Sequence, residues 1–141
     1  MTSRSVYVEH LQRVALFSGL TKKELGLVAA AGTEVDVAAG TVIMEQGRRG
    51  VDAFVILKGT FVVRRNGRKV AVLSAGDIFG ELALLDDGLR SATVECTGDG
   101  SVLALSGGQF RAVVDNIPAL SHKLLASMAG RIRNLDRTVL G

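Results

Sequence analysis

Glycine punctuates the middle of this chain too regularly for a helical protein. Between Thr33 and Leu105 it stands at Gly40, Gly47, Gly50, Gly59, Gly67, Gly76, Gly80, Gly88, Gly98 and Gly100. Short segments rich in β-branched residues fill the gaps: Thr41 to Met44, Ala53 to Leu57, Thr60 to Arg64, Val70 to Leu73, Ser91 to Val94 and Ser101 to Leu105. Short strands separated by turn residues about every eight to twelve positions predict an antiparallel sandwich or barrel. Asn66-Gly67 is the sharpest turn signal, because a two-residue hairpin loop needs positive φ at both positions.

The flanks follow a different period. Val8 to Phe17 carries Leu11, Val14 and Ala15, and Ser18-Gly19-Leu20 interrupts it. Thr21 with Glu24 three residues on is a capping box, and Leu25, Leu27, Val28 and Ala31 follow it. After the strands, Phe110, Val113 and Val114 share one face of a helix over Gln109 to Asn116. Pro118 suits the first turn of a long helix reaching about Val139. That helix has a core-facing stripe of Leu120, Leu124, Leu125, Met128, Ile132, Leu135 and Val139. The fold class is therefore α+β: an antiparallel, jelly-roll-like β-roll over 33–105, N-terminal helices within 5–32 and C-terminal helices within 108–139.

A chain of 141 residues has room for one domain, 1–141. Surface scaling leaves roughly 7,000 Å² exposed against about 21,000 Å² unfolded, so a self-supporting core is expected. Composition narrows the function classes. With 48% hydrophobic and 22% charged residues the chain is not disordered. No apolar run approaches a membrane span, Met1 to Leu11 has no signal-peptide block, and a cytoplasmic setting is expected. The single cysteine, Cys96, reads as a small buried hydrophobe. His10 and His122 fall in helical stretches without a metal set or a catalytic triad around them, so no metal and no enzyme activity are expected. A cupin-like metal enzyme on a similar roll lacks its ligands for the same reason. No tryptophan and one tyrosine leave few platforms for stacking single-stranded nucleic acid. The net charge of +3 tolerates an anionic partner. Arg48, Arg49, Arg64, Arg65, Arg68 and Lys69 cluster at turns of the roll, where charged edges discourage aggregation, and read as a solvated face.

Gly76 to Val94 is the stretch that a generic β-roll does not require. A short glycine-led helix, Glu81 to Leu85, is predicted directly after a strand, with unpaired N–H groups and the positive dipole end at its start. Asp77 is a turn or cap residue. Arg90 follows the tight Asp86-Asp87-Gly88 turn and can bring a planar fork to two phosphate oxygens. Glu81 accepts hydrogen bonds only and suits a sugar hydroxyl. An anion cradle beside a hydroxyl acceptor describes a ribose phosphate.

These residues carry a resemblance. Phe79-Gly80-Glu81-Leu82-Ala83-Leu84 followed by Arg90-Ser91-Ala92-Thr93-Val94, nine positions from glutamate to arginine, resembles the phosphate-binding cassette of the cyclic nucleotide-binding domain family. That family includes catabolite activator proteins and the regulatory subunits of cyclic-AMP-dependent kinase. Leu16-Phe17-Ser18-Gly19-Leu20, Gly40-Thr41-Val42-Ile43, Gly47, Asp52 and Gly59 extend the likeness over nearly the whole chain. The resemblance implies that Arg90 holds the cyclic phosphate and Glu81 the ribose 2′-hydroxyl. Gly80, Leu82 and Ala83, with Ser91 and Ala92, would complete the cradle of the 76–94 cassette. Val63 and Val70, core residues on any reading, would flank the purine, and Arg131 and Leu135 or Asp136 would reach it from the last helix. Leu89 stands where kinase-type cassettes have proline, and the last-helix positions are less polar than in catabolite activators.

Three readings follow from the resemblance. The first is a regulatory sensor binding cyclic AMP in preference to cyclic GMP, since Ser91 replaces the threonine that accompanies guanine. Its ligand would shift the C-terminal helices as a lid and so reach an effector protein. The second is a fragment or relative of a catabolite-activator-type transcription regulator without its helix-turn-helix, from which no direct DNA binding is expected. The third is an interaction module with an empty or altered pocket. The stripe on the last helix is long enough to pair with a second copy, so a homodimer through that helix stands beside the monomer.

Overall fold

The computed structural model describes residues 11–12, 17–50, 52–80, 88–126 and 129. Helix α1 (Lys22–Ala31) begins at Thr21, whose hydroxyl accepts from the Glu24 amide while the Glu24 carboxylate accepts from the Thr21 amide. Strands β1 (Thr33–Val37), β2 (Val42–Met44), β3 (Asp52–Lys58), β4 (Phe61–Arg65), β5 (Arg68–Leu73), β6 (Ile78–Phe79), β7 (Thr93–Cys96) and β8 (Gly100–Ser106) follow. Helix α2 (Gly107–Asn116) closes this order, capped reciprocally by Ser106 and Gln109, and residues 118–126 are helical after it. The strands form two antiparallel sheets in the orders β1-β8-β3-β6 and β2-β7-β4-β5, the two-sheet arrangement of a jelly roll. The expected β-roll with flanking helices is the fold observed.

Two strands explain how the layers assemble. The run Ala53-Phe54-Val55-Ile56-Leu57 is apolar throughout because β3 is covered on both faces. Ala53, Val55 and Leu57 pack with Leu103 and Leu105 of β8 against the helices, through Leu25, Val28, Phe110, Val113, Leu120 and Leu124. Phe54 and Ile56 turn the other way and meet Phe61, Val94, Cys96 and Val102 inside the roll. One sheet thus separates two cores, and each alternate residue of its central strands serves one of them.

The β4–β5 hairpin turns at Asn66 (φ 54°) and Gly67 (φ 80°), both left-handed as anticipated. Three expectations need correcting. Val70 is not a core residue: the register passes from Val63↔Ala71 to Arg64↔Lys69, the bulge leaves Val70 unmatched, and it is 54% exposed. Leu125 does not join the buried stripe of Leu120 and Leu124, and is 66% exposed, since one residue further on rotates it about 100° off that face. The strand expected at Ser91 starts at Thr93, because Ser91 and Ala92 lie in a bend. Strand β1 was not among the expected strands. Glu34 and Asp36 hide its pattern, and such charges belong on an edge strand, where β1 sits. The predicted helix 81–85, the stripe beyond Leu125, and His10 lie outside the described residues.

Candidate functional site

Arg90 lies between β6 and β7 and is built into the protein by its backbone and its side chain together. Its amide donates to the Arg48 carbonyl at 2.8 Å, and its own carbonyl accepts from the Gly47 amide at 2.9 Å. Arg49 and Leu89 continue this pairing as a β-bridge. The guanidinium turns inward: Nη1 donates to the Gly80 carbonyl at 2.8 Å and Nη2 to the Asp52 carbonyl at 2.6 Å. Arginine is seldom buried, because removing a charge from water is costly. Arg90 is nevertheless only 7% exposed. A solvated hairpin arginine is excluded by these contacts.

Two glycines shape the space around this group. A Cβ on Gly50 would stand 2.6 Å from Arg90 Cζ and 2.7 Å from Nε. At Gly80 it would lie 2.7 Å from Nη1 and 3.0 Å from the Asp52 carbonyl, and there φ is +85°. Side chains cannot occupy either position while the guanidinium keeps its place, and Gly80 needs the left-handed backbone as well. Phe79, the residue before Gly80, stacks on Phe54 with centroids 5.1 Å apart and meets Phe61 at 5.9 Å. The aromatic contacts anchor β6 in the roll core and so fix the carbonyl that receives Nη1.

Arg90 borders a cleft of about 320 Å³. Buried Met44 and Phe54 line it, as do Asp52 and the exposed Glu45, Arg48 and Arg49. Among the described residues, three arginines and two carboxylates line it, and Arg48 also forms an exposed pair with Glu45 at 3.7 Å. An apolar wall beside a fixed planar cation suits a small organic anion. Among the described residues no group of three histidine, cysteine, aspartate or glutamate side chains is placed to hold a metal ion.

The residues singled out from sequence are distributed as follows. Gly80 and Arg90 touch. Ala92 is buried in the roll core beside Val94, whereas Ser91 is exposed and its carbonyl accepts from Arg65 Nε at 3.2 Å. Val63 is half-buried against the roll interior, on the strand next to exposed Val70. Asp77 is a turn residue: its carboxylate accepts from the Ser74 amide and its amide donates to the Ser74 carbonyl. Glu81, Leu82, Ala83, Arg131 and Leu135 lie outside the described residues. Sequence reasoning assigned no role to Gly50 or to the Asp52 carbonyl. Asp52 belonged to the resemblance, but its contribution comes from main chain, which no residue type signals. Arg64, within the basic run, reaches Glu95 at 3.9 Å on the outer face of its sheet.

Known proteins share this fold. Residues 34–116 match the model of the cyclic nucleotide-binding domain. The cyclic AMP receptor protein of Thermus thermophilus is 32% identical over 126 residues, covering 86% of this chain and 58% of that protein. The crystal structure of the Thermus thermophilus catabolite activator protein superposes with a TM-score of 0.83 at 32% identity, over 88% of this chain and 61% of the other. The regulatory domain of Toxoplasma gondii PKA, crystallised with cAMP, gives a TM-score of 0.77 at 29% identity, over 91% of this chain and 50% of the other. The chain thus spans about half to three-fifths of the length of these relatives. With the family model matched over residues 34–116, more than half of its length, the chain belongs to the cyclic nucleotide-binding domain family.

Proposed function

We propose that this chain is a cyclic nucleotide sensor that takes cyclic AMP in preference to cyclic GMP. The observation that carries the reading is the Arg90 guanidinium, buried and held in plane by the Gly80 and Asp52 carbonyls between two glycines. A cation already fixed in this way loses little entropy when an anion arrives, which favours tight binding. In the reading, Arg90 holds the cyclic phosphate, Glu81 accepts from the ribose 2′-hydroxyl, and Gly80, Leu82, Ala83, Ser91 and Ala92 close the cradle. Val63 lies along the purine from the roll interior, with Arg131 and Leu135 reaching it from the last helix. The names of the relatives support cyclic AMP as ligand. Ser91 in place of threonine supports the preference over cyclic GMP.

The output is a population shift, not a chemical step. A ligand that binds the closed form a hundredfold better than the open one shifts the balance by about 2.7 kcal/mol, which the C-terminal helices pass to an effector protein. A second reading, favoured by the likeness to the catabolite activator, makes this roll the sensing part of a DNA-binding regulator. Calorimetric titration with cyclic AMP, cyclic GMP and linear 5′-AMP tests the sensor. Saturable binding of a cyclic ester is expected, and Arg90→Ala should weaken it by about 2–5 kcal/mol, as for a buried charge contact. Arg64→Ala, on the outer face, should leave it nearly unchanged. Equal losses in the two variants would overturn the assignment of the phosphate to Arg90.

A further inference from the structure

Among the described residues, most of the contacts that position Arg90 come from the connection between β2 and β3 and from the first residue of β3. Gly47 and Arg48 pair with its main chain, Gly50 packs on its guanidinium, and Asp52 accepts from Nη2. The connection itself is held near its start, at Gln46. The Gln46 amide donates to Thr93 Oγ1 at 3.0 Å, and its side chain reaches across to the tip of the β4–β5 hairpin. There Nε2 donates to Asn66 Oδ1 at 2.9 Å, and Oε1 accepts from the Asn66 amide at 2.8 Å. Beside this reciprocal amide pair, Arg65 Nε donates to the Ser91 carbonyl. The hairpin tip therefore grips the arginine segment from both sides.

We propose that Gln46 and Asn66 are positioning residues for the phosphate end of the site, an amide clasp that holds the 46–52 connection, and through it the guanidinium, in its binding geometry. The proposal rests on the reading of Arg90 as the phosphate contact. The same ribbon carries Val63, so the clasp joins the strand assigned to the purine to the residue assigned to the phosphate. Asn66 does two separable things. Its left-handed φ makes the turn, which glycine or aspartate also tolerates, while its Oδ1 serves the clasp.

Three variants separate these roles. Gln46→Ala removes the whole clasp, Asn66→Gly keeps the turn but loses the acceptor, and Asn66→Asp keeps both. Affinity for cyclic AMP and cyclic GMP, measured by calorimetry, should fall about tenfold in Gln46→Ala, the equivalent of one or two lost hydrogen bonds. The loss should be the same factor for both nucleotides, because the clasp serves the phosphate end. Asn66→Gly should show a smaller loss in the same direction, and Asn66→Asp should bind like the parent. Amide hydrogen exchange of the nucleotide-free protein gives a readout that does not depend on the ligand. The Gly47 and Arg90 amides should exchange about tenfold faster in Gln46→Ala and detectably faster in Asn66→Gly, while the Val55 amide stays protected. Parental affinity and parental exchange in both variants would overturn the clasp, as would a changed ratio between the two nucleotides. A parent chain that binds neither nucleotide would overturn the proposed function, and the exchange experiment would still decide whether the clasp positions Arg90. Should Gln46→Ala fail to fold, Asn66→Gly, whose turn is intact, decides the question.

Discussion

The two sheets of the roll do different work, and their burial shows it. In the sheet β1-β8-β3-β6 the central strands are covered on both faces, by the helices on one side and the roll interior on the other. In the sheet β2-β7-β4-β5 the inner face carries the core, while outside it Val42 and Val72 are half exposed, as are the paired Arg64 and Glu95. The central strands of the first sheet form a partition whose apolar side chains are committed to packing. The second leaves its turns and hairpin tip exposed, and these supply Gln46, Asn66 and Arg65 around the arginine segment. The site therefore lies where the doubly packed partition, through β3 and β6, meets the looser ribbon.

Substitutions can break this comparison, and the largest effects should come from the cores. Phe61→Ala, which removes a fully buried ring beside Phe79, should cost about 3–5 kcal/mol of stability in denaturant unfolding. Leu103→Ala on the helix side should cost about 2–5 kcal/mol. In protein that remains folded, only the Phe61 change should also weaken nucleotide binding, because Phe61 supports the strand leading into Gly80. Equal weakening by both would mean that the two cores do not divide their roles as their burial suggests.

The next contrast separates the two glycines that flank the guanidinium. Gly80→Ala must adopt a left-handed backbone and crowd the Asp52 carbonyl, so about 1–2 kcal/mol of stability should be lost in thermal denaturation. At Gly50 the crowded atoms are those of the Arg90 guanidinium, and no left-handed backbone is required. Gly50→Ala should therefore cost less stability than Gly80→Ala while displacing Arg90, with a loss of affinity of about 1.4 kcal/mol, or tenfold. Parental affinity in Gly50→Ala would show that the guanidinium position tolerates such a shift. The smallest effect is expected at the start of α1, away from the residues that line the cleft. Thr21→Ala removes the cap of α1 and should cost about 1 kcal/mol without altering affinity.

The fold was legible where local chemistry decides the outcome. Thr21 and Glu24 announced a helix start, Asn66-Gly67 announced a hairpin, and the segment Ala53 to Leu57 announced a strand; all three are present. Strand β1 was hidden, because Glu34 and Asp36 suit an edge strand but break the apolar pattern by which strands are recognised. Val70 was misplaced for a different reason. A single-residue bulge changes which side of a ribbon a residue faces, and no residue type in Lys69-Val70-Ala71 signals one. Within the site, the spacing of Gly80 and Arg90 was visible, but the support around them was not. Gly50, the Asp52 carbonyl and Gln46 act by proximity.

Sequence by itself determined that strands would alternate with glycine turns, that helices would flank them, and that one arginine would follow the glycine-led cassette at a fixed distance. Those features depend on dihedral preferences and short-range spacing, which each segment carries with it. Only the tertiary structure decided that Arg90 would be buried, which carbonyls would receive its protons, and that a hairpin tip twenty residues from Gln46 would close on it. Such contacts join segments distant in sequence, and their strength depends on desolvation and geometry that exist only once the two sheets have packed together.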